Sequence, residues 1–418
     1  MGHTLIEKII RASAGREVRP GDIVTVNVDR VMLDDIMMPF IVSKFSEMGF
    51  TKVWDPEKVV IICDHLVPAS QIDDTRAYKI SCDFAEEQGI NNLHRSDGIC
   101  HQLMTEAGYV KPGDVVFGTD SHTTTYGCVG AFSTGIGYTE MAGILGTGQL
   151  WVRVPETIRV RINGTLPANV MAKDVILKVI GDLGAAGATY KSIEFTGDTV
   201  DAMTVASRMS MSNMAIEAGA KCGLFAPDEK TAEYCGIPWD DSETATFIKG
   251  LKGDDDADYA QTLEYRAEDL VPVCAVPSNV DNVKPVSELD GIAVDQVFLG
   301  SCTNGRLEDL MAAAEILKGK KVAPFVRFIV TPASRKVYLE ALRNGTIEIL
   351  LQAGADITHP SCGLCCGRTG GILTDGEVVV ATNNRNFLGR MGTNKVQIYL
   401  ASPKTAAASA LAGKIVSA

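Results

Sequence analysis

Val59-Val60-Ile61-Ile62-Cys63-Asp64-His65 decides how this chain reads. Five apolar residues in a row, with no polar alternation, mark a strand covered on both faces, the environment of a parallel sheet packed between helices. The run breaks into Asp64-His65, which places a carboxylate and an imidazole at the strand's end. The same apolar pattern recurs at 115–117, 294–299, 326–330 and 378–381, with helical periodicity over 306–317 and 334–342. Strands alternating with helices predict an α/β fold of mainly parallel sheets.

Three further polar motifs also fall just after an apolar run. Thr119-Asp120-Ser121-His122 follows 115–117, Gly300-Ser301-Cys302-Thr303-Asn304-Gly305 follows 294–299, and Asn383-Asn384-Arg385-Asn386 follows 378–381. Open α/β sheets bind ligands outside the carboxyl ends of their strands. Four such coincidences point to one composite site.

The cysteines suggest what that site holds. Cys302 stands alone, whereas Cys362 and Cys365 form a Cys-x-x-Cys pair in Pro360-Ser361-Cys362-Gly363-Leu364-Cys365-Cys366-Gly367. Structural zinc and fully protected iron–sulfur clusters take four protein ligands. Three thiolates leave one metal corner open to substrate. The pair by itself equally suits a thiol–disulfide redox role, and Cys302 tips the balance towards metal. Cys366 reads as a bystander, and the other seven cysteines as small buried hydrophobes.

Asp64-His65 and Asp120-x-His122 place a carboxylate beside an imidazole, an arrangement suited to general acid–base work; His101 is a weaker candidate. Arg385 and Arg390 are spaced to clamp one anion. Together the parts describe dehydration and rehydration of a hydroxy-di- or tricarboxylate.

Composition sets the frame. At 418 residues the chain exceeds one ordinary core. Seams are expected near 154/155 and in a polar stretch, 253–290, that reads as a surface connection. The glycine-rich stretch 127–148 lacks nucleotide-loop spacing and reads as close helix–strand packing. A net charge of −13 disfavours nucleic acid and anionic membranes as partners, so an anionic substrate needs its own local arginines. No apolar run reaches transmembrane or signal-peptide length. Eleven cysteines without framework spacing fit a reducing cytoplasm.

Over its whole length the chain resembles the large subunits of the isopropylmalate dehydratase and homoaconitase branch of the aconitase family. The resemblance is carried by Asp29-Arg30, Asp64-His65, Thr119-Asp120-Ser121-His122, Gly300 to Asn304, Cys362 to Cys365, and Asn384 to Arg390. It implies three aconitase-like α/β domains, 1–154, 155–275 and 276–418, around a central site and without the fourth, swivelling domain. It implies one [4Fe–4S] cluster per chain on Cys302, Cys362 and Cys365, with one iron not ligated by protein. Asp64 with His65 becomes the acid pair for the departing hydroxyl, His122 pairs with Asp120, and His101 pairs with Glu217. Ser121, Arg385 and Arg390 fall at carboxylate-binding positions, and Asn213, Asn304 and Asn384 line the cluster. The missing domain becomes a separate small subunit in a heterodimer or larger hetero-oligomer, and the substrate a small anionic hydroxyacid.

Asp34, Tyr126 and Leu388 depart from the usual isopropylmalate pattern. The implied substrate is 3-isopropylmalate, on the route to leucine, with 2,3-dimethylmalate and homocitrate as alternatives. Asp34 either faces substrate, with Arg30 to neutralise it, or caps a following helix. A thiol redox protein and an RNA-binding regulator are the readings from other classes.

Overall fold

Val59–Ile62 is a strand with every residue buried. It lies in a five-stranded parallel sheet ordered Leu93–His94, Val59–Ile62, Arg30–Asp34, Val115–Gly118, Phe132–Gly135. The computed structural model describes residues 2–418. A second parallel sheet runs Cys222–Phe225, Ser192–Thr196, Thr157–Asn163, Gln261–Arg266. The third has seven strands: Val283–Pro285, Val273–Ala275, Gln397–Leu400, Val378–Ala381, Gln296–Leu299, Arg327–Val330, Ala355–Ile357. It is parallel from Gln397–Leu400 outward and antiparallel at its first two strands. No helix among the described residues is long and apolar enough to cross a membrane.

The stretch 253–290 is not a plain surface connection. It holds Gln261–Arg266, the edge strand of the second sheet, and two strands of the third. Ala275 pairs with Leu400, so the third sheet begins before the expected seam at 275/276. Polar alternation hid Gln261–Arg266, because an edge strand buries only one face. Helices open close to where periodicity placed them: Leu307–Leu317 and Arg335–Arg343, the second capped by the Ser334 hydroxyl, which accepts from Val337 N–H. The last helix, Pro403–Ala412, stops at Gly413 in a left-handed conformation.

The sheets share apolar cores rather than meeting through water. Ile158, Val160 and Phe195 of the second sheet belong to one buried cluster with Phe298, Val379 and Ile398 of the third. Cys222 and Leu224 pack into the core of the first. A Cβ at Gly127 would sit 1.9 Å from the Gly223 carbonyl oxygen. Only glycine permits that approach of the 121–129 segment to the second sheet, in keeping with the packing role read for this stretch.

Candidate active site

The strand-end motifs converge. Asp64, His65, His101, Asp120 and His122 face Cys302, Cys362, Cys365, Asn384 and Arg390 across one small cavity. Backbone bonds stitch its two walls: Ile99 N–H donates to Ala333 O (2.9 Å), Arg335 N–H to Asp97 O (2.7 Å) and Cys362 N–H to Asp64 O (2.8 Å).

His65 Nδ1 lies 2.8 Å from Asp64 Oδ1, while Asp64 Oδ2 accepts from Cys100 N–H at 2.7 Å. A carboxylate on Nδ1 keeps the proton there and leaves Nε2 to exchange with a ligand. Burial opposes charge on His65, but Asp64 outweighs it and the imidazole is raised well above its ordinary value. Asp35, which sequence reasoning passed over, fixes this loop by accepting from His65 N–H (3.0 Å) and Leu66 N–H (2.9 Å). Burial, then the Asp64 charge, pushes it up to about 6.

The histidine–acid pairs depart from expectation: Asp120 takes His101 as well as His122 Nδ1 (3.4 Å), and Glu217 takes His122 rather than His101. His101 Nε2 lies 2.7 Å from Asp120 Oδ1, and His122 Nε2 lies 2.8 Å from Glu217 Oε1. Asp120 also accepts from the His122 backbone N–H at 2.7 Å, because it caps the 3-10 segment Ser121–Val129. The local Asp-x-His spacing thus makes a backbone cap and a 3.4 Å contact to His122 Nδ1, while Nε2 reaches across to the second sheet's unit. Arg385 Nε donates to the same Glu217 oxygen at 2.8 Å.

Asp34 does not line the cavity. It is 2% exposed, accepting from Met37 N–H at 3.0 Å and from the Thr119 hydroxyl at 2.6 Å. Asp34 therefore fixes the turn ahead of Met37, the N-cap of the helix Met38–Glu47, rather than capping the helix itself. Arg30 does not neutralise it: 30–34 is a strand, and the guanidinium donates to the Tyr109 and Glu57 carbonyls instead. Ser121 Oγ is 3.5 Å from His122 Nδ1. Asn304 is also set back, donating to Asp309 Oδ1 at 3.0 Å.

The cysteines suit a cluster. Asn213 Nδ2 and Asn384 Nδ2 aim at Cys302 Sγ from 3.2 and 3.5 Å, and Arg390 Nη2 lies 3.6 Å from Cys365 Sγ. Such N–H donors stabilise sulfur as thiolate. The hydrogen bond with Cys362, then Arg390, holds Cys365 low against burial, whereas burial pushes Cys302 up to about 12. Ligation by iron would offset that cost. Among the described residues, the acid–imidazole group drawn within 4.8 Å is Asp34, Asp35 and His65.

The model of the aconitase family (aconitate hydratase) matches residues 7–413. The chain belongs to the aconitase family. It is 51% identical over 416 residues to 3-isopropylmalate dehydratase large subunit 1 of Methanopyrus kandleri, covering 99% of this chain and 98% of that one. It is 46% identical to the probable methanogen homoaconitase large subunit of Methanothermobacter thermautotrophicus, covering 98% and 96%. Aconitase X of Thermococcus kodakaraensis shares the fold alone, with a TM-score of 0.51 at 13% identity over 87% of this chain and 84% of that one. Membership implies a [4Fe–4S] cluster, and the donor set present here fits one.

The Glu217 network gives this member of the family a pH signature. Against burial, His122 and then Arg385 hold Glu217 below its ordinary 4.5. Against burial and Arg385, Asp120 and Glu217 hold His122 above its ordinary 6.5. The depressed carboxylate stabilises the fold above about 4.5 and loses that contribution as pH falls through its lower folded value. The raised imidazole contributes below about 6.5 and loses it as pH rises through its higher folded value. Both act fully between those limits. Urea midpoints of the cluster-free protein should therefore fall more steeply from pH ~5.5 to ~3.5 in wild type than in Glu217→Gln. Equal slopes would show that the network carries no such linkage.

Proposed function

We propose that this chain is the cluster-bearing large subunit of a hydro-lyase that reversibly dehydrates a hydroxy dicarboxylate, 3-isopropylmalate first among them, and works with a small subunit. The observation that carries this reading is the Asp64–His65 pair facing three cysteines and Arg390 across one cavity. When bound, the cluster supplies an open iron that acts as a Lewis acid towards the substrate hydroxyl and carboxylate.

The protein's own groups supply the rest. His65 Nε2 delivers a proton to the departing hydroxyl, while Asp64 holds the Nδ1 proton and stabilises the charged imidazole beforehand. Arg390 and Arg385 bind substrate carboxylates, with Glu217 taking Arg385 Nε so that the terminal nitrogens face the ligand. Asp120 orients His101 and His122 around the reacting centre. The carbon-bound proton needs a base on the opposite face of the substrate, which the small subunit is expected to bring together with a further arginine.

The test combines the anaerobically reconstituted chain with a small subunit from the same source. Substrates are 3-isopropylmalate, 2,3-dimethylmalate and homocitrate, with formation of the unsaturated acid followed by absorbance. Turnover of 3-isopropylmalate by the pair, with background rates for either subunit alone, is the expected outcome. Preference for another acid reassigns the substrate. Robust turnover by the lone chain, or none with any acid, overturns the reading.

A further inference from the structure

Lys173 is fully buried, and neither the mechanism nor the motif reading uses it. It lies in the first turn of the helix Ala172–Leu183, where the helix dipole disfavours a cation. Its Nζ donates to the carbonyls of Thr382 (2.9 Å) and Asn383 (2.5 Å), and none of the ion pairs among the described residues includes it. The neighbouring Asp174 is turned to other work, accepting from Met171 N–H and Val273 N–H. Burying an ammonium without a countercharge is expensive. Burial pulls Lys173 down to about 7; of the acidic groups that oppose this, Cys302 and Cys365 act most strongly, ahead of Asp309 and Asp174.

The two carbonyls it grips belong to the segment that reaches the cysteines. The Thr382 hydroxyl bonds both the N–H and the carbonyl of Gly300, two residues before Cys302. Asn384, next after Asn383, donates to Cys302 Sγ.

We propose that Lys173 is the buried countercharge of the cluster, a positioning residue whose ammonium balances the thiolate-bound iron while holding the segment that carries Asn384 and Arg385. This rests on the cluster reading above. Without iron, burial disfavours its charged form; with iron, the ammonium makes an added electron easier to accept.

The test uses the full chain as wild type, Lys173→Met and Lys173→Arg, reconstituted anaerobically. One-electron reduction of the cluster by dithionite is followed against redox dyes by paramagnetic resonance. At a fixed potential, the ratio of reduced to oxidised cluster should fall at least tenfold in Lys173→Met, about 59 mV for one electron, and stay within about threefold in Lys173→Arg. Loss of iron uptake in Lys173→Met that returns in Lys173→Arg also supports the proposal.

An iron-loaded Lys173→Met with an unchanged ratio overturns the proposal. A wild-type chain that takes up no iron sinks the cluster reading itself, an outcome distinct from an iron-loaded wild type whose variant is indistinguishable from it.

Discussion

Cys302→Ser is expected to abolish stable cluster assembly, taking iron from about four per chain to well under one on anaerobic reconstitution. Cys302 sits at 3% exposure in the short helix Ser301–Asn304, where Asn213 and Asn384 both direct amide N–H groups at its sulfur. Serine offers a hard, less acidic oxygen on a shorter bond, poorly matched to iron and to the gap. Cys100 also lines the cavity, but burial and then the Asp64 charge push its thiol well up, so it is no ready substitute thiolate.

Cys366→Ser is the matched control. Its sulfur donates to the Gly363 carbonyl at 3.3 Å and does not line the cavity, so iron content and the visible spectrum should be retained. Should Cys366→Ser lose the cluster while Cys365→Ser keeps it, the ligand assignment within the pair is reversed.

Asp64→Asn should lower kcat by roughly 10²- to 10⁴-fold in the two-subunit enzyme, the range typical of general acid–base groups, with iron content unchanged. The asparagine carbonyl can still accept from Cys100 N–H, which preserves the loop. Its NH2 then faces His65 Nδ1, drives the proton to Nε2, and removes the charge that favours the imidazolium. The imidazole stays in place in the wrong protonation state. His65→Gln should fall at least as far. Iron analysis beside steady-state rates separates this from damage to the cluster, and a loss below about tenfold in both variants would remove the pair from the proton-transfer role.

Much of this protein follows from local pattern. The run 59–63 could bury every side chain only between two layers of helices, and it does so as Val59–Ile62. The same logic located the strand ends and therefore the polar motifs that meet at the cavity. Three thiols in a Cys…Cys-x-x-Cys arrangement, with arginines on the next strand's exit, were legible because residue type and strand position alone carry that information.

Which groups touch which was decided only by tertiary packing. Glu217 lies 95 residues from His122 and 168 from Arg385, and Lys173 lies 209 from the Thr382 carbonyl it grips. No spacing rule spans such separations. The local Asp-x-His motif tells only half the story, since Asp120 caps the backbone and holds His122 Nδ1 at 3.4 Å while Nε2 reaches a distant acid. Asp34 likewise turned inward because Thr119 and Met37 satisfy both its oxygens. Periodicity and composition record how each segment faces the core. The partners of buried charges depend on how the three larger sheets seat against one another, and that fit is a property of the assembled cores.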